Sequence, residues 1–142
     1  MKFPVDIELD DNAQYLITFP DIPEAATAAD SREEALEMAV DALESAIDLY
    51  FDEKKPVPLP ALIKKGRGYV ELPGTAVAKV LLHNEMLALG VKKAELARRM
   101  KMAPPNVERI FHAKHGTRLE TLEAAFSALG KKLEITVKPH ST

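Results

Sequence analysis

The sequence predicts an α+β chain in two units. Residues 1–72 read as a β-β-β-α-β unit, and residues 73–142 as a helical unit that ends in a strand. Three observations predict this. Apolar residues recur at every second position near the N-terminus and again near residue 70, the spacing of half-buried strands. From residue 31, and again from 75 to 129, they recur at helical spacing. The charge also changes sign where the second unit begins. Residues 1–72 hold 7 Lys and Arg against 16 Asp and Glu, a net −9, whereas residues 73–142 hold 12 against 6, a net +6. Halves of opposite sign point to different partners: the acidic half repels nucleic acid and the basic half attracts it.

The elements follow in order. In "KFPVDIEL", 2–9, Phe3, Val5, Ile7 and Leu9 share one face, with Asp6 and Glu8 opposite. "DDNA" is a turn by composition, and "QYLITF", 14–19, is β-branched and aromatic, so the two runs form a hairpin. "PDIPEA" is too rich in proline to be regular, and "ATAA", 26–29, suits a short third strand. Ser31 with Glu34 three residues on matches a capping box. Ala35, Leu36, Ala39, Val40, Leu43, Ile47 and Tyr50 then mark the apolar stripe of a helix running to about residue 53. "KKPVPLP" is extended, Gly66 and Gly68 mark a turn, and "YVELP", 69–73, is the last strand of the acidic unit. In the basic unit the spacing predicts helices over 75–89, 92–100, 104–112 and 118–129, with Gly90 and Gly130 as stop signals. "KLEITVK", 132–138, alternates Leu133, Ile135 and Val137 as a strand would, and only the "PHST" tail reads as disordered.

The adjacent prolines in "KMAPPNVERIF", 101–111, decide how the basic half is read. Proline is tolerated in the first helical turn, where the N–H groups have no intrahelical partner. If Ala103 is the N-cap, Pro104 and Pro105 are the first two helical residues. Leu96, Ala97, Met100, Met102, Val107 and Ile110 then have the spacing of two helices packed about a tight turn, a helix-turn-helix. Its second helix can enter the major groove, N-terminal residues toward the bases. Pro105, Asn106, Arg109 and His112 lie on that helix. Asn can pair with adenine, and Arg with guanine or phosphate. Lys92 and Lys93 open the preceding helix, where backbone phosphates are met, and Lys114, Thr117 and Arg118 flank the following turn. The run "VKKAELARRMKMAPPNVERIF" resembles phage-repressor-like (Xre/Cro) proteins. It departs at Lys101, where Gly is usual, and at Ala103, where Ser caps the helix.

A wider resemblance covers nearly the whole chain. "YLITFPDIPEAATAADSREEALEMAVDAL", 15–43, followed by "YFDEKKPVPLP", is similar to HicB antitoxins of type II HicAB toxin–antitoxin systems, in the subgroup carrying a helix-turn-helix. Ala29 is a small departure, since Gly is common there. The resemblance implies that the first unit is a partial RNase H-like fold that neutralises a HicA-type toxin. That toxin is a small basic mRNA interferase with a catalytic histidine. It also implies that the second unit represses its own operon by binding operator DNA. A basic toxin suits an acidic partner. The candidate toxin-facing residues are Asp21 and Glu24 in the loop and Asp41, Glu44 and Asp48 on the helix face expected to meet solvent.

Other function classes fit less well. Asp6, Glu8 and Asp10 could suggest carboxylate-assisted two-metal hydrolysis. They lie on one strand, however, whereas such sites draw on several elements, and the acidic half would repel the substrate. No enzymatic activity, metal or cofactor is expected. A stand-alone repressor whose acidic half senses a ligand or partner is the alternative, although no Gly-rich phosphate loop supports it. The chain has no cysteine, which excludes disulfides and thiol chemistry. It shows no signal-peptide h-region and no apolar run of membrane-spanning length, so a cytoplasmic location is expected. The terminal strand 132–138 has no partner inside a helical unit. Pairing with its copy would give a homodimer carrying two reading helices.

Overall fold

Pro4 determines how the first strand is used. In the computed structural model, which describes residues 1–140, the run 2–9 divides into β1 (Lys2–Pro4) and β2 (Asp6–Leu9). Pro4 has no N–H to give a ladder, and the chain changes partner there. β1 pairs antiparallel with β5 (Tyr69–Glu71), Phe3 opposite Val70. β2 pairs antiparallel with β3 (Tyr15–Thr18), Ile7 opposite Ile17, and β3 pairs in turn with β4 (Ala26–Ala29). Val5 joins the two sheets through its N–H, which donates to the Gly68 carbonyl at 3.0 Å. The expected β-β-β-α-β order is therefore corrected to four strands, a helix and a fifth strand.

The long helix α1 (Arg32–Glu53) starts where Ser31 Oγ accepts from the Glu34 N–H at 3.1 Å. It ends at Lys54 in the left-handed region, φ 56°. Ala35, Ala39, Leu43, Ala46, Ile47 and Phe51 are its buried stripe. The alanines let the helix lie close on the sheet, over Phe3, Ile17, Phe19 and Ile22, all buried. Each large side chain buried this way contributes about 1.5–3 kcal/mol.

Four helices follow: α2 (Gly74–Leu89), α3 (Lys93–Met100), α4 (Pro104–Ile110) and α5 (Leu119–Ala128). Gly90 closes α2 at φ 70°. Leu82, Leu96, Val107, Ile110, Phe111, Leu122 and Phe126 are buried among these helices, and the buried residues of both halves form one continuous cluster. Phe51 of α1 meets the Phe111 ring edge-on at 6.0 Å. Asn84 of α2 grips the crossover after α1, accepting from the Val57 N–H at 2.8 Å and donating to the Val57 carbonyl at 3.0 Å.

The strand expected over 132–138 is not formed among the described residues. A strand needs a neighbour for its N–H and C=O groups, and none of the five strands pairs with this segment. Ile135 and Val137 are left 64% and 98% exposed. Ser141 and Thr142, the end of the tail expected to be disordered, lie outside the described residues.

Candidate functional site

The two short helices of the basic half are joined by a turn that solves its backbone geometry without glycine. Lys101 closes α3 at φ 55°, and the Met102 N–H returns to the Ala97 carbonyl at 3.0 Å, a Schellman-type closure. Ala103 occupies the N-cap of α4 at φ −64°, ψ 138° and offers no side-chain bond; Pro104 and Pro105 take the next two positions. Neither proline needs a donor there. The first N–H groups that need an acceptor, those of Asn106 and Val107, find the Ala103 carbonyl at 2.9 and 3.3 Å. Val107 and Ile110 join Leu96 and Ala97 in the core. Pro105, Asn106 and Arg109 stand exposed on the other side. Arg109 Nη1 donates to Asn106 Oδ1 at 3.4 Å, which orients the two groups together. α4 ends at Ile110, two residues short of the expected end, so exposed His112 sits in the turn beyond it.

The other basic-half residues divide into open and engaged groups. Lys92 is exposed at the N-cap of α3, and Arg118 is exposed at the N-cap of α5. Thr117 lines a shallow hollow of about 190 Å³ with Asn106, Arg109 and Arg118, and its hydroxyl is buried with no hydrogen-bond partner among the described residues. Lys93 is held back: its ammonium binds Glu108 of α4 at 2.8 Å and lies over the Phe111 ring at 5.2 Å. Lys114 is also engaged, at Asp41 Oδ1 (2.7 Å) and Ser45 Oγ (2.9 Å) of α1. Sequence reasoning passed over Arg98 and Arg99, both exposed near the turn. Arg98 and Arg99 share Glu95 and hold its carboxyl below the ordinary range.

The acidic candidates do not form one open surface. Asp21 is half-buried in the loop, and Glu24 accepts the Tyr50 hydroxyl at 2.5 Å. Burial first, and then Glu24, push the Tyr50 phenol up to about 12. The helix face expected to meet solvent also meets the turn after α4, although Asp41 stays exposed. Asp48 Oδ1 accepts from the Ala113 N–H at 2.8 Å, and Asp41 holds Lys114. Glu44 is half-buried between them, and burial raises its carboxyl pKa against the opposing pull of Lys114. These contacts have a simple cause. A charged face looks solvated in sequence until a basic neighbour packs on it. The signal missed was Lys79, a lysine inside the apolar run "AVAKVLLH". It is fully buried, and its ammonium donates to the carbonyls of His112 (2.8 Å) and His115 (2.6 Å).

The strand carboxylates are likewise in structural use. Asp6 pairs with Arg67 at 2.8 Å, and Asp10 accepts from the N–H groups of Asn12 and Gln14. Among the described residues no three His, Asp or Glu side chains gather as a metal would require. Nor is any described helix long and apolar enough to cross a membrane.

Residues 2–81, the acidic half and the start of α2, match the family model described as the HicB-like antitoxin of bacterial toxin–antitoxin systems. The chain belongs to the HicB-like antitoxin family. Relatives extend the match across both halves. Antitoxin HicB 2 of Photorhabdus laumondii is 45% identical over 135 residues, 95% of each chain. Antitoxin HicB 1 of the same organism is 41% identical over 138 residues, 97% of this chain and 88% of its own. Antitoxin HicB of Escherichia coli K12 is 35% identical over 137 residues, 96% and 99% of the two chains.

Proposed function

We propose that this HicB-like antitoxin neutralises a small, basic HicA-type mRNA interferase through residues 1–72 and represses its own operon through residues 73–142. We read the acidic sheet with α1 across it as a partial RNase H-like fold, and α3–turn–α4 as a helix-turn-helix. One observation carries the DNA-binding half of this reading. α4 starts rigidly on two prolines, buries Val107 and Ile110, and turns Asn106 and Arg109 outward from the positively charged half of the chain. That is the arrangement by which a short helix reads base edges, with Lys92 and Arg118 at helix starts suited to flanking phosphates. Asp21, Glu24, Asp41, Glu44 and Asp48 remain the candidate toxin-facing residues, with Asp41 still exposed beside Lys114, and further negative charge lies on the first half of α1. There Glu33, Glu34 and Glu37 are exposed and make no ion pair among the described residues. The exposed Ile135 and Val137 suit pairing of the terminal segment with its copy in a homodimer, which would present two reading helices to two half-sites.

Three measurements test the reading. Arg109→Ala and Asn106→Ala should each cost about 1–3 kcal/mol of affinity for the promoter of the chain's own gene while non-specific DNA binding changes little. Unchanged promoter binding would reject α4 as the reading helix. The chain should co-purify with the toxin encoded beside it and stop that toxin cleaving RNA; toxin activity that persists in its presence rejects neutralisation. Ile135→Asp with Val137→Asp should yield monomers at concentrations where the wild type sediments as a dimer, and a dimer that survives rejects strand pairing.

A further inference from the structure

The turn that follows α4 is held from outside itself, by α1 of the acidic half and by α2 of its own half. Along residues 112–115, the carbonyls of His112 and His115 are bound by Lys79 of α2, the N–H of Ala113 by Asp48 of α1, and the Lys114 ammonium by Asp41 and Ser45 of α1. Asp41, Ser45 and Asp48 recur at the four- and three-residue spacing that puts side chains on one helix face. Ala113 itself is 4% exposed. The turn contains no proline, and its own main-chain closure is the His115 N–H to the His112 carbonyl at 3.0 Å. Its remaining polar contacts therefore come from α1 and α2, and what they hold is the C-terminal exit of the helix that carries Asn106 and Arg109.

We propose that this face of α1 is a latch that fixes the exit of α4 to the acidic half, while Lys79 braces the same turn from α2, so that Asp41, Ser45, Asp48, Lys79 and Lys114 are positioning residues for operator binding. The proposal rests on the DNA-binding reading above. It also assigns Lys114 to the latch instead of to a phosphate. A held exit keeps the two reading helices of a dimer at a set orientation; a loose one must be ordered on binding, at a cost in affinity. Loosening the latch removes no cation from the DNA-facing surface, so the salt dependence of binding stays as it is.

The test uses the full-length protein and a duplex spanning its own promoter. Asp48→Ala removes the acceptor of the Ala113 N–H. In the free protein, exchange of that amide should speed up by about tenfold, the scale of a lost hydrogen bond to a charged group. Promoter affinity should fall several-fold with the slope against salt unchanged. Asp48→Asn keeps an acceptor and should restore both. Asp41→Ala and Lys114→Ala, both at exposed positions, should weaken promoter binding equally, and the double variant no further than either alone, as partners in one contact do. Unchanged exchange at Ala113 in Asp48→Ala overturns the latch. So does an Asp41→Ala chain that binds like wild type while Lys114→Ala weakens binding and lowers the salt slope by about one, the mark of a lost phosphate contact. A wild-type chain that ignores the promoter overturns the DNA-binding reading instead, and amide exchange in the free protein then decides the latch alone.

Discussion

Lys79 and His83 lie one turn apart on α2, both buried, and each titrates in a way that stability can report. Burial pushes the Lys79 ammonium down from its ordinary 10.5 to about 8, against the opposing pull of Asp48 and Glu44. Between those values the unfolded chain holds a proton that the native chain has released, so stability rises with pH across that window. The native state bears the full cost of the charge below pH 8 and is relieved above it. Lys79→Met removes the titration. Urea midpoints taken between pH 7 and 10.5 should therefore show the wild type gaining on the variant as pH increases, and parallel curves would contradict the burial of the charge. His83 has the same sign lower on the scale. Its ring packs on Phe51 at 4.8 Å between centroids, its Nε2 lies 2.7 Å from the Lys55 carbonyl, and burial lowers its pKa below 6.5. The neutral ring donates to that carbonyl. Its contribution is present above pH 6.5 and is lost as acid protonates the unfolded chain first. His83→Gln should flatten the fall in melting temperature between pH 6.5 and 5, and an equally steep fall would assign the acid sensitivity to other groups.

At the scale of elements, the turn between α3 and α4 carries two replaceable costs. Lys101 sits at φ 55°, where a side chain is disfavoured, and Ala103 leaves the N-cap without a side-chain acceptor. Lys101→Gly should stabilise the chain by roughly 0.5–1 kcal/mol by relieving the left-handed strain. Ala103→Ser should add about 0.5 kcal/mol, because its hydroxyl can take over the Asn106 N–H and leave the Ala103 carbonyl, which Asn106 and Val107 now share, to Val107. Chemical denaturation checks both, and a loss of stability in either would mean the turn is held in another geometry. These positions were legible in the sequence because caps and prolines act within a few residues. Ser31, Gly90 and the proline-started helix were readable for the same reason. The division of residues 2–9 into β1 and β2 was only half legible. Pro4 signals that a donor is missing, but the change of partner from β5 to β3 depends on residues 15–18 and 69–71, far along the chain. The roles of Asp48 and Lys114 were illegible for a stronger version of the same reason. Their partners lie more than sixty residues away, and nothing in local spacing says that an acidic helix face will meet a basic turn.

Across the whole molecule the change of charge near residue 73 coincides with a change of surface, while the interior runs through it. Phe51, Val57 and Leu72 from the acidic half and Val80, Leu82 and Phe111 from the basic half are buried in one apolar cluster. Asp48, Asn84 and Lys114 bind across the same junction, so two surfaces of opposite charge rest on a shared core. Cooperative unfolding of both halves is the physical consequence, because loosening either exposes apolar surface of the other. All three tyrosines, Tyr15, Tyr50 and Tyr69, lie in the acidic half, and there is no tryptophan. Tyrosine fluorescence therefore reports that half alone, whereas helical circular dichroism also reports α2–α5. Phe111→Ala empties a buried site in the basic half and should cost about 3–5 kcal/mol. Its melting curve by tyrosine fluorescence should move down together with the curve by circular dichroism. A tyrosine transition that stays at the wild-type temperature while the dichroism shifts would show instead that the halves unfold separately and that the contacts at Phe51, Asp48 and Lys114 are too weak to couple them.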